Sequence, residues 1–193
     1  MALQNLGIKR NVEHGILIAW HARFAQVKNL HLLFQVARAL PQHTFLVSGG
    51  GPLFSKFSLE APENVVILGW RSAADVFCAC DVVLSTSHNE GVPFSLIEAS
   101  MLGKPVIATN IGSVGEIVID GKSGFLVEPN VESFRTKIVY LGQHREELSL
   151  MSVQARELSL SMFNVKRFSK LFEDMIKDIF VNRRVNSSDT SFI

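Results

Sequence analysis

The sequence predicts an α/β domain: a doubly wound, mostly parallel six-stranded sheet of Rossmann-like type, with helices on both faces and more helices at its C-terminal end. Two observations carry this. Short apolar runs alternate with longer segments of helical period, the pattern of strands buried on both faces and joined by crossover helices. The residues just after the runs are rich in Gly, Ser and charge, as expected where ligands meet the carboxyl ends of parallel strands.

Taken in order, residues 15–20 read as the first strand. A helix follows over 29–40, where Leu30, Leu33, Phe34, Ala37 and Leu40 form one apolar stripe that Pro41 ends. Strands are predicted over 44–47, 65–68, 82–84, 105–108 and 124–127, and helices over 73–80, 94–102 and 114–119. Residues 132–141, 146–158 and 165–180 read as three helices in series. Residues 1–14 read as a linker or lead-in, 15–180 as the domain, and 181–193 as a frayed or disordered polar tail.

A chain of 193 residues buries roughly 70% of its unfolded surface, so it needs no disulfide or metal to hold its core. Its net charge of +1, with no Lys/Arg block longer than two, argues against a nucleic-acid partner. Cys78 and Cys80 stand too close for a disulfide and are expected to be packing residues. With no signal-peptide core and no membrane-spanning run, the chain reads as cytoplasmic.

The first loop, 21–29, carries Arg23 and Lys28, a guanidinium and an ammonium that suit a diphosphate or stand as solvated cations. Gly49, Gly50 and Gly51 permit close backbone approach by a phosphate or base, and equally suit a tight turn. No Walker or dinucleotide fingerprint is present.

The loop after the fourth strand runs through Glu90, Gly91 and Val92 to Pro93, which starts the next helix. The amides of Phe94, Ser95 and Leu96 are then expected as free donors at the positive end of a helix dipole, ready for phosphate, with the Ser95 hydroxyl beside them. Glu98, a turn later, suits a ribose diol, and Glu90 suits hydroxyls beyond the diphosphate. Singly, each carboxylate reads as a surface or helix-start charge. Together with the flanking Gly91-Val92-Pro93 and Gly103-Lys104-Pro105, they read as a site.

Four further residues stand at strand ends. His21 and His88 are placed to face the crevice, although a lone histidine is more often a packing residue. Trp70 reads as a base-flanking residue or a partly buried loop anchor, and Glu116 as a helix N-terminal charge or, the favoured reading, a support for the phosphate loop. No cluster has metal-ligand spacing, and no metal or cofactor is expected.

The Glu90 and Glu98 pair, the run from Ala99 through Gly103-Lys104-Pro105 to Thr109, Glu116-Ile117-Val118 with Asp120-Gly121, and Gly124-Phe125-Leu126-Val127 resemble the retaining glycosyltransferases of family 4, or group 1. Arg23-Phe24 with Lys28-Asn29 resembles that family's first-strand motif. The resemblance implies the C-terminal, donor-binding domain of a GT-B enzyme that transfers a hexosyl group from a nucleoside-diphosphate sugar to a glycan or lipid-linked acceptor. It implies catalytic roles for Arg23 and Lys28 at the leaving diphosphate and for Glu90 at the sugar, with Gly51, Gly91, Phe94, Ser95, Leu96 and Glu98 binding the donor.

Such an enzyme needs an N-terminal acceptor domain, for which this chain has no counterpart, and it leaves a membrane-peripheral place open for the full-length protein. Ala22 where Gly is usual, Ser113 in the usual Gly-Gly pair, and Gly115 where Pro is common depart from the family pattern without removing a charge. A stand-alone subunit working with a separate acceptor-domain partner, and a GT-B epimerase or phosphorylase, are the competing readings.

Overall fold

A computed structural model describes the backbone of residues 15–187 and the side chains of residues 15–177; the expected lead-in over 1–14 lies outside the described residues. Six strands, β1 (Leu17–His21), β2 (Thr44–Ser48), β3 (Val65–Gly69), β4 (Val82–Ser85), β5 (Val106–Thr109) and β6 (Gly124–Val127), form one sheet in the order β3-β2-β1-β4-β5-β6. Every pairing is parallel, where the sequence reading expected mostly parallel strands. Side-chain alternation buries β1 on both faces: Ile16, Ile18 and Trp20 join the main core cluster, while Leu17 and Ala19 are buried on the opposite face.

The helices are α1 (Leu30–Arg38), α2 (Phe54–Glu60), α3 (Ala73–Ala79), α4 (Phe94–Met101), α5 (Val114–Ile117), α6 (Val131–Gln143), α7 (Arg145–Met162) and α8 (Val165–Ser187). The α1 stripe is as expected, with Leu30, Leu33, Phe34, Ala37 and Leu40 all buried. Asn29 caps α1 rather than belonging to it, its side chain accepting the Leu32 N–H at 3.3 Å. Two elements were not expected, a 3₁₀ turn over Gln26–Lys28 and α2, which buries a single residue, Phe57.

Cys80 is buried, and burial raises its thiol pKa to about 12; Cys78 is exposed and is not the packing residue expected. α8 runs on to Ser187, so residues 181–187, expected to begin a frayed tail, are helical, and 188–193 lie outside the described residues.

The chain divides into two compact units, Met1–Ser159 and Leu160–Ile193. The first holds the sheet. In the second, α8 exposes Val165, Phe168, Leu171, Phe172 and Met175. Among the described residues no helix is long and apolar enough to cross a membrane.

Candidate functional site

The strand order reverses direction between β1 and β4, which pair through Ile18 and Val82 and through Ala19 and Val83. In a doubly wound sheet the loops leaving the carboxyl ends of these two strands bound the ligand crevice. They are 22–29, which contains the 3₁₀ turn, and 86–93, which leads into α4.

Three contacts bind the loops together. Thr86 Oγ1 donates to the Lys28 carbonyl at 3.0 Å, and the His88 N–H donates to the Val27 carbonyl at 2.8 Å. Lys28 Nζ donates to both carboxylate oxygens of Glu90, at 2.7 and 2.8 Å. Ser87 Oγ also donates to Glu90 Oε1, at 2.6 Å, so the carboxylate is held from two sides. The Lys28 side chain is 23% exposed and that of Glu90 is 9% exposed, which shields the pair from the screening that weakens surface ion pairs. Lys28 and Glu90 thus face each other, an arrangement that their separate predicted roles did not include.

At the start of α4, Pro93 is the N-cap with extended backbone and no side-chain cap. Its carbonyl accepts from the Leu96 N–H at 2.9 Å and from the Ile97 N–H at 3.4 Å. The expected free Leu96 amide is therefore already spent within the first turn. The Phe94 and Ser95 amides find no acceptor among the described residues and remain open at the positive end of the helix. Phe94 itself is 74% exposed.

Arg23 and Glu98 are exposed, and neither side chain makes a hydrogen bond or ion pair among the described residues. Glu98 is near enough to act electrostatically on His21, whose pKa burial lowers and the Glu98 charge partly restores. The His21 ring packs edge-on against Phe77 and Trp70, with centroids 5.7 and 6.4 Å away, and its buried Nδ1 has no hydrogen-bond partner among the described residues. His88 is exposed and lines a cavity of about 250 Å³ with Gln26, His31 and Phe57, and neither Glu90 nor Glu98 lines it. A cavity of about 380 Å³ beside Asn110, Glu128 and Lys137 is lined by none of the predicted site residues.

Packing of one loop on another accounts for two of the glycines. Gly49 has φ 134°, and a Cβ there would lie 1.9 Å from the Ala22 carbonyl oxygen. A Cβ at Gly51 would lie 2.8 Å from the Phe24 carbonyl oxygen, so this glycine serves the β1 loop whether or not a ligand is bound. Trp70 is 67% exposed and stands against Gly50, so it is not the partly buried anchor of one sequence reading.

Beyond β5, a Cβ at Gly112 would lie 2.1 Å from the Glu90 carbonyl oxygen, and Ser113 Oγ donates to the exposed Gly91 carbonyl. Glu116 is exposed and forms no side-chain bond among the described residues, so Gly112 and Ser113 supply the loop support expected of it.

Sequence reasoning missed Thr86 and Ser87 as site residues. The available signal was the hydroxyl run Ser85-Thr86-Ser87 continuing past a strand end, and the structure buries all three. Among the described residues no group of three or more His, Cys, Asp and Glu side chains converges where a metal ion would sit.

The family model described as glycosyl transferases group 1 matches residues 15–144. An Escherichia coli protein named UDP-Gal:alpha-D-GlcNAc-diphosphoundecaprenol alpha-1,3-galactosyltransferase is 30% identical over 94% of this chain and 48% of its own length. A trehalose synthase of Pyrococcus horikoshii is 32% identical over 64% of this chain and 29% of its own. The chain thus spans about half or less of these curated relatives.

Anabaena HepE, solved in complex with UDP and glucose, superposes with a TM-score of 0.78 at 24% identity, covering 91% of this chain and 51% of that one. A sucrose-phosphate synthase of Thermosynechococcus elongatus gives 0.80 at 21% identity, covering 94% and 49%. With the six-stranded parallel sheet and flanking helices of a GT-B glycosyltransferase domain, the chain belongs to the group 1 glycosyltransferases.

Proposed function

We propose that this domain binds the nucleoside-diphosphate sugar of a hexosyltransferase and presents the sugar to an acceptor held by a second domain. The observation that carries the reading is the start of α4: two open amides, Phe94 and Ser95, beside the β1–β4 switch point, with Glu98 one turn further on. In this reading the phosphates rest on those amides, Glu98 accepts from the ribose hydroxyls, and Glu90 faces the transferred sugar.

Arg23 and Lys28 neutralise the charge that builds on the diphosphate as the sugar leaves. That is the differential stabilisation of a transition state by fixed cations, and it requires no metal. Retention follows when the acceptor attacks the face from which the diphosphate departs, with a donor phosphate oxygen taking the proton. Gly91, where a Cβ would meet nothing within 4 Å, lets backbone approach the donor, and Gly51 keeps the β1 loop packed beside the site. UDP is the first nucleotide to test, because the E. coli relative's name specifies UDP-Gal and HepE was solved with UDP. That relative acts on a lipid-linked diphosphate sugar, which supports a glycan or glycolipid acceptor here.

Titration calorimetry of the chain with UDP, GDP and ADP tests the reading. Saturable binding of one of them, UDP first, is expected. Failure of all three at millimolar concentration contradicts it.

A further inference from the structure

The pairing of Lys28 with Glu90 has a consequence for what the site retains. Both residues face the diphosphate and sugar in the reading above, yet here they satisfy each other through two short bonds with both side chains largely shielded. The surroundings fix where each begins. Thr86 and the His88 amide hold the backbone of the 3₁₀ turn, and Ser87 holds Glu90 Oε1. The mobile part is the Lys28 stem, whose compact ammonium reorients more readily than the loops.

We propose that Glu90 and the donor's phosphates compete for the Lys28 ammonium, so that the site favours a nucleoside diphosphate carrying its sugar over the bare nucleoside diphosphate left after transfer. The inference rests on the reading of the site as a diphosphate site. When the donor binds, Lys28 turns to the phosphates and Glu90 loses a charged partner in a place that is only 9% exposed. Leaving a shielded carboxylate with only the Ser87 hydroxyl and no counter-charge is costly, and sugar hydroxyls offset that cost by donating to it. A bare nucleoside diphosphate brings no such donors.

After transfer Glu90 therefore reclaims Lys28, and its charge adds repulsion against the remaining phosphates. Arg23 makes no hydrogen bond or ion pair among the described residues and binds phosphate without this competition. Glu90 thus senses whether the sugar is present and sets how readily the spent nucleotide leaves.

A double-mutant cycle read by calorimetry with UDP, or with GDP or ADP if that is the nucleotide bound, tests this. Glu90→Gln is expected to raise affinity for the bare nucleotide about fivefold, and Lys28→Met to lower it about twofold in the wild-type background but about tenfold in the Glu90→Gln background. A Lys28→Met cost as large or larger in the wild-type background overturns the proposal, because Glu90 would then be presenting Lys28 to the phosphates. Ser87→Ala, which preserves every charge and only loosens Glu90, is expected to raise affinity about twofold. A fall in affinity for that variant, with its melting transition intact, also overturns the proposal. Absence of nucleotide binding by the wild-type chain overturns the functional reading itself, whereas a reversed cycle leaves that reading standing.

Discussion

Lys28 and Glu90 spend their charges on each other across the β1–β4 switch point, whereas Arg23 and Glu98, assigned to the same donor, have no partner among the described residues. The difference comes from the backbone. Lys28 closes a 3₁₀ turn that Thr86 and His88 tie to the loop carrying Glu90, so the two charges are brought into contact by bonds to the carbonyls of that turn. Arg23 lies before that turn, and Glu98 sits on the exposed side of α4, among Leu96, Ile97 and Ala99, which are buried. One pair is poised to be displaced and the other to be filled. A site of this kind keeps its anion-binding groups without leaving them all uncompensated.

The strongest way to break the paired side is steric. Gly112→Ala puts a Cβ against the Glu90 carbonyl at a backbone φ of 50°, so it must move the 86–93 loop. It is expected to cost about 3 kcal/mol of stability, read by denaturant unfolding, together with nucleotide binding. Arg23→Ala breaks the open side and is expected to weaken nucleoside-diphosphate binding about tenfold by calorimetry, with the melting temperature little changed because the exposed side chain makes no hydrogen bond or ion pair among the described residues.

Glu98→Gln is expected to weaken nucleosides with an intact ribose about fivefold, and 2′-deoxy nucleotides less, since a neutral amide accepts more weakly from the diol.

The smallest effect sharpens the comparison by pH. Burial lowers the pKa values of His21 and His43, with Glu98 opposing the shift at His21 and Arg145 adding to it at His43. His43 Nδ1 accepts the Ile16 N–H at 3.0 Å and so must be unprotonated. A folded-state pKa below the unfolded value of about 6.5 means that the unfolded chain binds more protons in that window. Stability is therefore expected to be full above pH 6.5 and to fall on acidification below it. His43→Gln is expected to flatten the His43 share of that slope, measured as the unfolding midpoint across pH 5 to 8.

Much of this was legible before the structure, for identifiable reasons. The strands showed because parallel strands buried on both faces are written as continuous apolar runs, as in Val82-Val83-Leu84. α4 showed because Pro93 and Gly103 bracket it. α2 did not, since its seven residues bury only Phe57 and leave little periodicity to detect. The Leu96 amide was misjudged because an extended N-cap still offers its carbonyl to the first turn.

The Lys28–Glu90 contact joins residues 62 positions apart, and only the sheet order brings them together. The glycines at 49 and 51 read equally as ligand clearances or as a tight turn, and the structure shows them as clearances for the chain itself.

The central claim is that the switch-point crevice holds a nucleoside diphosphate with its phosphates on the start of α4. The most direct test is a crystal structure of the chain soaked with UDP. The account predicts phosphate oxygens within about 3 Å of the Phe94 and Ser95 amides, with Arg23 and Lys28 turned onto them and the ribose on Glu98. A nucleotide bound elsewhere, or one in the crevice with both amides left open, would contradict it.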